Sequence, residues 1–184
     1  MERTFPGMTV ETTRLDPGSS RALFTGVFAA GGITLSQVSH MTGLEPYLIQ
    51  NWVKRGFVSS PKNRLYSPSQ FARILLIQML RESLQIEKIC SLLSVIEGET
   101  PSESDDLIRD DELYHRYVDL LAKGNFRVID PVSVEKAVAD AAADFPEAFP
   151  GARRQLTRIL EVMLYAHAAA RLRDKAAEIL SSLQ

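Results

Sequence analysis

The stretch LSQVSHMTGLEPYLIQNWVKRGFVSSPKNRLYSPSQF, residues 35–71, carries two helix starts, a tight turn and a basic loop in close succession. Thr34 and Gln37 have the Ser/Thr-x-x-Glu/Gln spacing of a capping box, and Ile33 and Val38 flank them as a hydrophobic staple. This predicts a helix from Leu35 through Met41, stopped near Gly43, which can take the left-handed conformation that ends helices. A second helix follows at once. Pro46 suits its first turn, Leu44 and Ile49 staple its entry, and Gly56 sits where a C-terminal cap belongs. Glu45 is a poor cap residue, although its charge suits the N-terminal dipole. Two short helices joined by a Gly-containing turn define a helix-turn-helix.

Working downstream, residues 57–66 (FVSSPKNRLY) have apolar or aromatic ends around Pro61, Lys62, Asn63 and Arg64, which predicts a small hairpin with a basic tip. Ser67, Pro68 and Gln70 repeat the cap, first-turn proline and capping-box partner, so a helix should run to Arg81 with Phe71, Ile74, Leu75, Met79 and Leu80 on its apolar face. A further helix from about Gln85 to Ile96 places Ile86, Ile89, Leu93 and Ile96 together, and Gly98 and Pro101 close the unit. Upstream, residues 1–18 read as a loosely ordered arm with Pro6, Gly7, Pro17 and Gly18, followed by a short helix from Ser19 or Ser20 through Phe28. Residues 99–112 are acidic and rich in Ser and Thr, as in a linker or exposed loop, and helices are expected at about 112–123, 131–143 and 151–183. The expected architecture is mainly all-α. It has an arm and short helix over 1–32, a winged helix-turn-helix with a small β-hairpin wing over 33–98, an acidic linker over 99–112, and a helical accessory or dimerisation region over 113–184.

With 184 residues, 45% of them apolar, the chain is long enough to bury a substantial core. Its net charge of −2 hides an asymmetry: residues 33–81 carry a net +5, whereas residues 97–119 carry a net −7. The first segment suits phosphate and the second repels it. A lone cysteine, Cys90, excludes a disulfide framework and a Cys-rich zinc site, and its apolar surroundings read as a packed structural thiol. The N-terminus has no secretory pattern and the apolar patch from Leu23 to Ala30 is too short to span a bilayer, so the expected location is the cytoplasm, with no membrane partner.

Function is expected on the second helix of the pair. Tyr47, Gln50, Asn51 and Lys54 fall at i, i+3, i+4 and i+7 and share a face, while Leu48, Ile49, Trp52 and Val53 lie on the other side. Gln and Asn can pair bidentately with adenine in the major groove, and Lys54, Arg55, Lys62 and Arg64 can neutralise flanking phosphates. Asn63 joins them at the basic tip. The expected partner is double-stranded DNA.

From Leu35-Ser36-Gln37, through Gln50-Asn51-Trp52-Val53-Lys54-Arg55-Gly56, to Tyr66-Ser67, residues 33–96 resemble the DNA-binding domain of MerR-type regulators. More narrowly, they are similar to an uncharacterised bacterial family with a MerR-like domain at its N-terminus. The resemblance implies that Gln50, Asn51, Lys54 and Arg55 face DNA, that the hairpin with Lys62 and Arg64 is the wing, and that Trp52 anchors the core. It implies a sequence-specific transcriptional regulator. Where MerR regulators carry an Arg followed by an aromatic pair, this chain has Gln50, Asn51 and Trp52, and an acidic linker stands where their long dimerisation helix begins. The alternative is a protein-interaction module on the same scaffold without specific DNA binding.

The accessory region gives two expectations for the last helix, with Leu156, Ile159, Leu160 and Met163 followed by an alanine-rich stretch: pairing with a second copy in a homodimer, or folding back on its own domain. Tyr114, Tyr117, Phe126, Phe145, Phe149 and Tyr165 are candidates for an effector pocket, although such aromatics more often form core, and the residues themselves do not support an effector. Enzyme chemistry is not expected. His40, His115 and His167 are scattered, with no metal-ligand pair, phosphate loop or nucleophile elbow, and the acidic run from Glu103 to Glu112 lacks the glycine of a calcium loop. No cofactor and no metal are expected.

Overall fold

A computed structural model describes residues 3–97, 107–124, 128 and 130–183. Among these residues the helices are α1 Ser19–Val27, α2 Leu35–Thr42, α3 Pro46–Lys54, α4 Pro68–Leu80, α5 Ile86–Ser94, α6 Asp110–Lys123, α7 Pro131–Ala142 and α8 Ala152–Ser181. Four two-residue strands, β1 Arg3–Thr4, β2 Glu11–Thr12, β3 Ile33–Thr34 and β4 Leu65–Tyr66, complete the elements. The chain is thus mainly helical, and no described helix is long and apolar enough to cross a membrane. Most of the acidic segment expected at 99–112, its Gly98 and Pro101 punctuation, and Phe126 lie outside the described residues.

The start signals act as the sequence implies. Thr34 Oγ1 accepts from the Gln37 amide while Gln37 Oε1 accepts from the Thr34 amide, and Ser67 and Gln70 form the same reciprocal pair at α4. Gly43 ends α2 with a φ of 70°, and α3 begins on Pro46 with no side-chain cap from Glu45.

Helix α4 departs from the one-faced reading. Leu76 and Ile77 are as buried as Phe71, Ile74 and Leu75, so apolar burial is not confined to one face and the helix lies inside the core. Helices α2, α5, α6 and α8 pack on α4, and strand β4 lies against α2. One hydrophobic cluster runs from Phe5 to Ala166 and takes residues from all the segments read from the sequence.

The N-terminal arm is ordered, contrary to the expectation of a loose segment. Strands β1 and β2 pair antiparallel, and Pro6–Gly7 fills the centre of a tight turn closed by the Met8 amide donating to the Phe5 carbonyl at 3.0 Å. Proline followed by a positive-φ glycine is the pair that type II turns favour. Gly7 has a φ of 75°, and a Cβ there would sit 2.8 Å from the Leu75 carbonyl oxygen, so the turn lies directly on α4. Phe5 and Met8 are buried, the Thr9 hydroxyl donates to the His40 carbonyl at the end of α2, and the buried Tyr114 hydroxyl donates to the Pro6 carbonyl at 2.9 Å.

The wing also differs from a self-paired hairpin. Strand β4 pairs antiparallel with β3, setting Tyr66 opposite Ile33, rather than with residues 57–58. Pro61 has no amide to donate, and the Gln70 side-chain amide takes the Ser59 and Ser60 carbonyls at 3.0 and 2.9 Å, which diverts that segment from β4. What remains of the hairpin is its tip, a tight turn over 62–65.

The acidic segment resumes as α6, whose first turn holds Asp110, Asp111 and Glu112, where carboxylates favour the helix dipole. Arg73 on α4 contacts Asp110 at 3.3 Å and Glu97 at 2.7 Å, and Arg21 on α1 reaches Glu112 and Asp119, each at 2.8 Å. Ser20 and His115 share a buried 2.9 Å hydrogen bond, and burial holds the His115 ring below its ordinary pKa. Helix α8, about 45 Å long at 1.5 Å per residue, buries Leu156, Ile159, Leu160, Met163, Ala166 and Ala170 against its own chain. From Arg171 to Leu183 every residue is exposed. Its proximal half therefore folds back and its distal half projects.

Tyr114→Phe removes the only hydroxyl that answers the buried Pro6 carbonyl from α6, and should lower unfolding free energy by about 1–3 kcal/mol. Urea titration would measure this, and a change within error would mean that the hairpin contributes little to α4 burial.

Candidate nucleic-acid interface

The turn into α3 is fixed by side chains as well as by Gly43. Ser39 Oγ donates to the Leu44 carbonyl at 2.6 Å, and the Leu44 amide donates to Thr42 Oγ1 at 3.2 Å. Ile49 and Trp52 then anchor α3, with Trp52 buried beneath the Arg81 guanidinium 5.7 Å from its ring centre. Because α3 is held by that face, its opposite face is in solvent. Tyr47, Gln50, Asn51 and Lys54 are all exposed, and α3 itself contains no acidic side chain.

The remaining predicted residues divide. Arg64 lines the same shallow groove as Gln50, together with Leu35, Val53, Pro61 and Tyr66, so the turn and the outer surface of α3 meet. Lys62 and Asn63 are exposed but line a separate hollow with Phe28, Gly31 and Gly32. Arg55 is exposed yet engaged: its guanidinium lies 4.4 Å from the centre of the Phe57 ring and 3.3 Å from Glu87 on α5. An exposed pair of that kind is weak and is readily exchanged for phosphate.

Asn63 and Arg64 have φ values of 53° and 65°, and the Leu65 amide donates to the Lys62 carbonyl at 2.9 Å. Two successive positive φ values are the mark of a type I′ turn, which favours Asn first and Gly second. Arginine in the second position carries a left-handed cost of about 1–2 kcal/mol, offset by the β3–β4 pairing on one side. The turn thus holds a cation where glycine would be more stable.

Two features were not readable from the local sequence. Arg73, part of the basic balance, is almost enclosed and answered by Glu97, Asp110 and the Phe57 carbonyl, so it positions the loop after α3 and adds little surface charge. Conversely, the described carboxylates of α6 do not form a bare repelling face, since Asp110, Asp111, Glu112 and Asp119 each contact an arginine. Of the suggested effector aromatics, Tyr114, Tyr117 and Phe145 are core residues, Phe149 is exposed and Tyr165 is half-buried, so they do not line a common pocket. Cys90 is half-buried, with burial pushing its thiol up. His40 is exposed.

The geometry defines a small helical protein with a solvent-facing polar helix beside a strained cationic turn. In sequence, residues 32–117 match the family described as a domain of unknown function, DUF1836. The matched span starts just before β3 and ends inside α6, so it includes α2 to α5 and much of the helix that packs on α4. No curated protein and no solved structure matches the chain.

Arg64→Gly should raise stability by about 1 kcal/mol by removing the left-handed cost. Thermal or urea unfolding measures it, and a loss of stability would show that the Arg64 side chain packs in the groove rather than serving its surface.

Proposed function

We propose that the chain binds double-stranded DNA sequence-specifically through α3 and acts as a MerR-like transcriptional regulator in the cytoplasm, with α2 and α3 as its helix-turn-helix and the 62–65 turn as a reduced wing. The observation that carries this reading is the outer face of α3. It offers Gln50 and Asn51, two side chains able to pair bidentately with adenine, and Lys54 for phosphate, without an acidic residue on the helix. Arg64 extends the cationic surface across the shared groove, Lys62 is exposed in the same turn as Arg64, and Arg55 is exposed just beyond the end of α3. The resemblance of residues 33–96 to MerR-type domains supports the same assignment.

A protein-interaction module is the second reading, favoured by Tyr47, which stands 70% exposed on the same face. Exposed tyrosines are frequent anchors in protein interfaces. Arg55, already paired with Glu87, would then be structural.

Selection from a randomised duplex pool at low and near-physiological salt separates the two, because phosphate contacts alone give salt-sensitive, sequence-blind binding. The regulator reading expects one enriched motif that survives the higher salt. It also expects the triple variant Gln50→Ala, Asn51→Ala, Lys54→Ala to lose that motif with its unfolding midpoint unchanged. Of the three, Lys54→Ala alone should weaken all sequences alike and reduce the salt slope by about one. No enrichment at either salt would overturn the reading and favour the module.

A further inference from the structure

We propose that Gln70 is the positioning residue of the wing: its carboxamide caps α4 through the oxygen and, through the nitrogen, holds the chain entering the 62–65 turn, which sets where Arg64 stands beside α3. The oxygen Oε1 accepts from the Ser67 amide at 2.9 Å, closing the capping box. The nitrogen Nε2 donates to the Ser60 carbonyl at 2.9 Å and to the Ser59 carbonyl and hydroxyl, each at 3.0 Å. The orientation is forced. The Ser67 amide can only donate and the two serine carbonyls can only accept, so turning the group over would break both ends.

Few side chains can serve both ends. Glutamate closes a capping box as well as glutamine does, but an ionised carboxylate has no hydrogen to give and would face two carbonyl oxygens. Lysine offers donors and leaves the Ser67 amide unanswered. The other capping box shows what the cap alone requires. Gln37 Oε1 accepts from the Thr34 amide and hydroxyl at 2.8 and 3.0 Å, while its nitrogen makes no hydrogen bond among the described residues. Glutamate would serve at α2, and at α4 it would lose the hold.

The held residues are the upstream support of the turn. Val58 is buried and the Phe57 carbonyl accepts from Arg73 Nε at 2.9 Å, which fixes the chain as it leaves α3. Downstream, Leu65 and Tyr66 pair with Thr34 and Ile33 in β3. Residues 61–64 lie between these supports, and Gln70 grips the residue immediately before them. Arg64 is kept at a φ of 65°, a conformation that costs a residue with a Cβ and persists only where the surroundings over-determine it. Pro61 and Arg64 line one groove with Gln50 of α3, so a shift at Ser60 passes directly to the wall of that groove.

What the placed wing does rests on the DNA-binding reading, whereas its placement is testable without nucleic acid. Gln70→Glu keeps the cap and loses the hold. In the full chain its α4 amides should keep their protection from exchange, while the amides of 59–65 shift and lose order in 15N relaxation. Gln37→Glu is the control and should leave 59–65 unmoved. A 59–65 segment as ordered in Gln70→Glu as in wild type overturns the proposal, whether or not the chain binds DNA. On the enriched duplex Gln70→Glu should keep the same motif, bind about three- to tenfold more weakly and lose about one from the salt slope. In an Arg64→Gln background that further loss should vanish, because no cation is left there to place. A loss that persists in that background is charge repulsion and overturns the role in binding. A wild-type chain that enriches no duplex removes the DNA reading alone, and the relaxation data still decide the hold.

Discussion

Helix α4 has no solvent face, and a helix without one has to be covered from all sides before it is stable in water. Much of the remaining architecture follows from that requirement. Helices α2, α5, α6 and α8 cover α4, α2 carries α3 and β4 on its own flanks, and the Pro6–Gly7 turn rests on the backbone at Leu75. The nearly enclosed arginine on this helix, Arg73, then fixes the periphery, since its guanidinium binds the loop after α3 through the Phe57 carbonyl and the start of α6 through Asp110. The position of α3 is thereby linked to the covering of α4 from the far side.

This arrangement explains how opposite charge runs coexist in one small body. The described carboxylates of the acidic run lie against the arginines of α1, α4 and α6 itself, with Arg21 spanning Glu112 and Asp119. Arginines held in this way order the helices, while lysines and arginines at the edge of α3 and in the 62–65 turn stay in solvent. Charge that looks opposed along the chain is spatially sorted into structural and exposed groups.

Local chemistry made much of the fold legible. Both capping boxes, the Gly43 stop and the exposed quartet on α3 follow from spacings of a few residues, and each lies where those spacings place it. The departures came from long-range partners. Pro6–Gly7 gives a turn signal, but the turn becomes a packed hairpin only because Tyr114, 108 residues away, donates to it. Arg55 and Arg73 read as surface cations because Glu87 and Asp110 lie 32 and 37 residues further along. Residues 57–66 read as a self-contained hairpin because nothing local reveals that β3 takes the edge of β4. The period of α4 suggested one buried face, whereas its unbroken apolar run from Ile74 to Ile77 was the better guide to its central place.

The central claim is that the exposed face of α3, with the strained turn beside it, meets the bases and backbone of duplex DNA. Backbone amide mapping by NMR, with an enriched duplex added at near-physiological salt, tests this residue by residue. The expected result is a contiguous set of perturbed amides over Tyr47–Lys54 and Lys62–Leu65, with α6 to α8 unmoved. Perturbations confined to α6–α8, or none under conditions where the duplex is demonstrably bound, would contradict it.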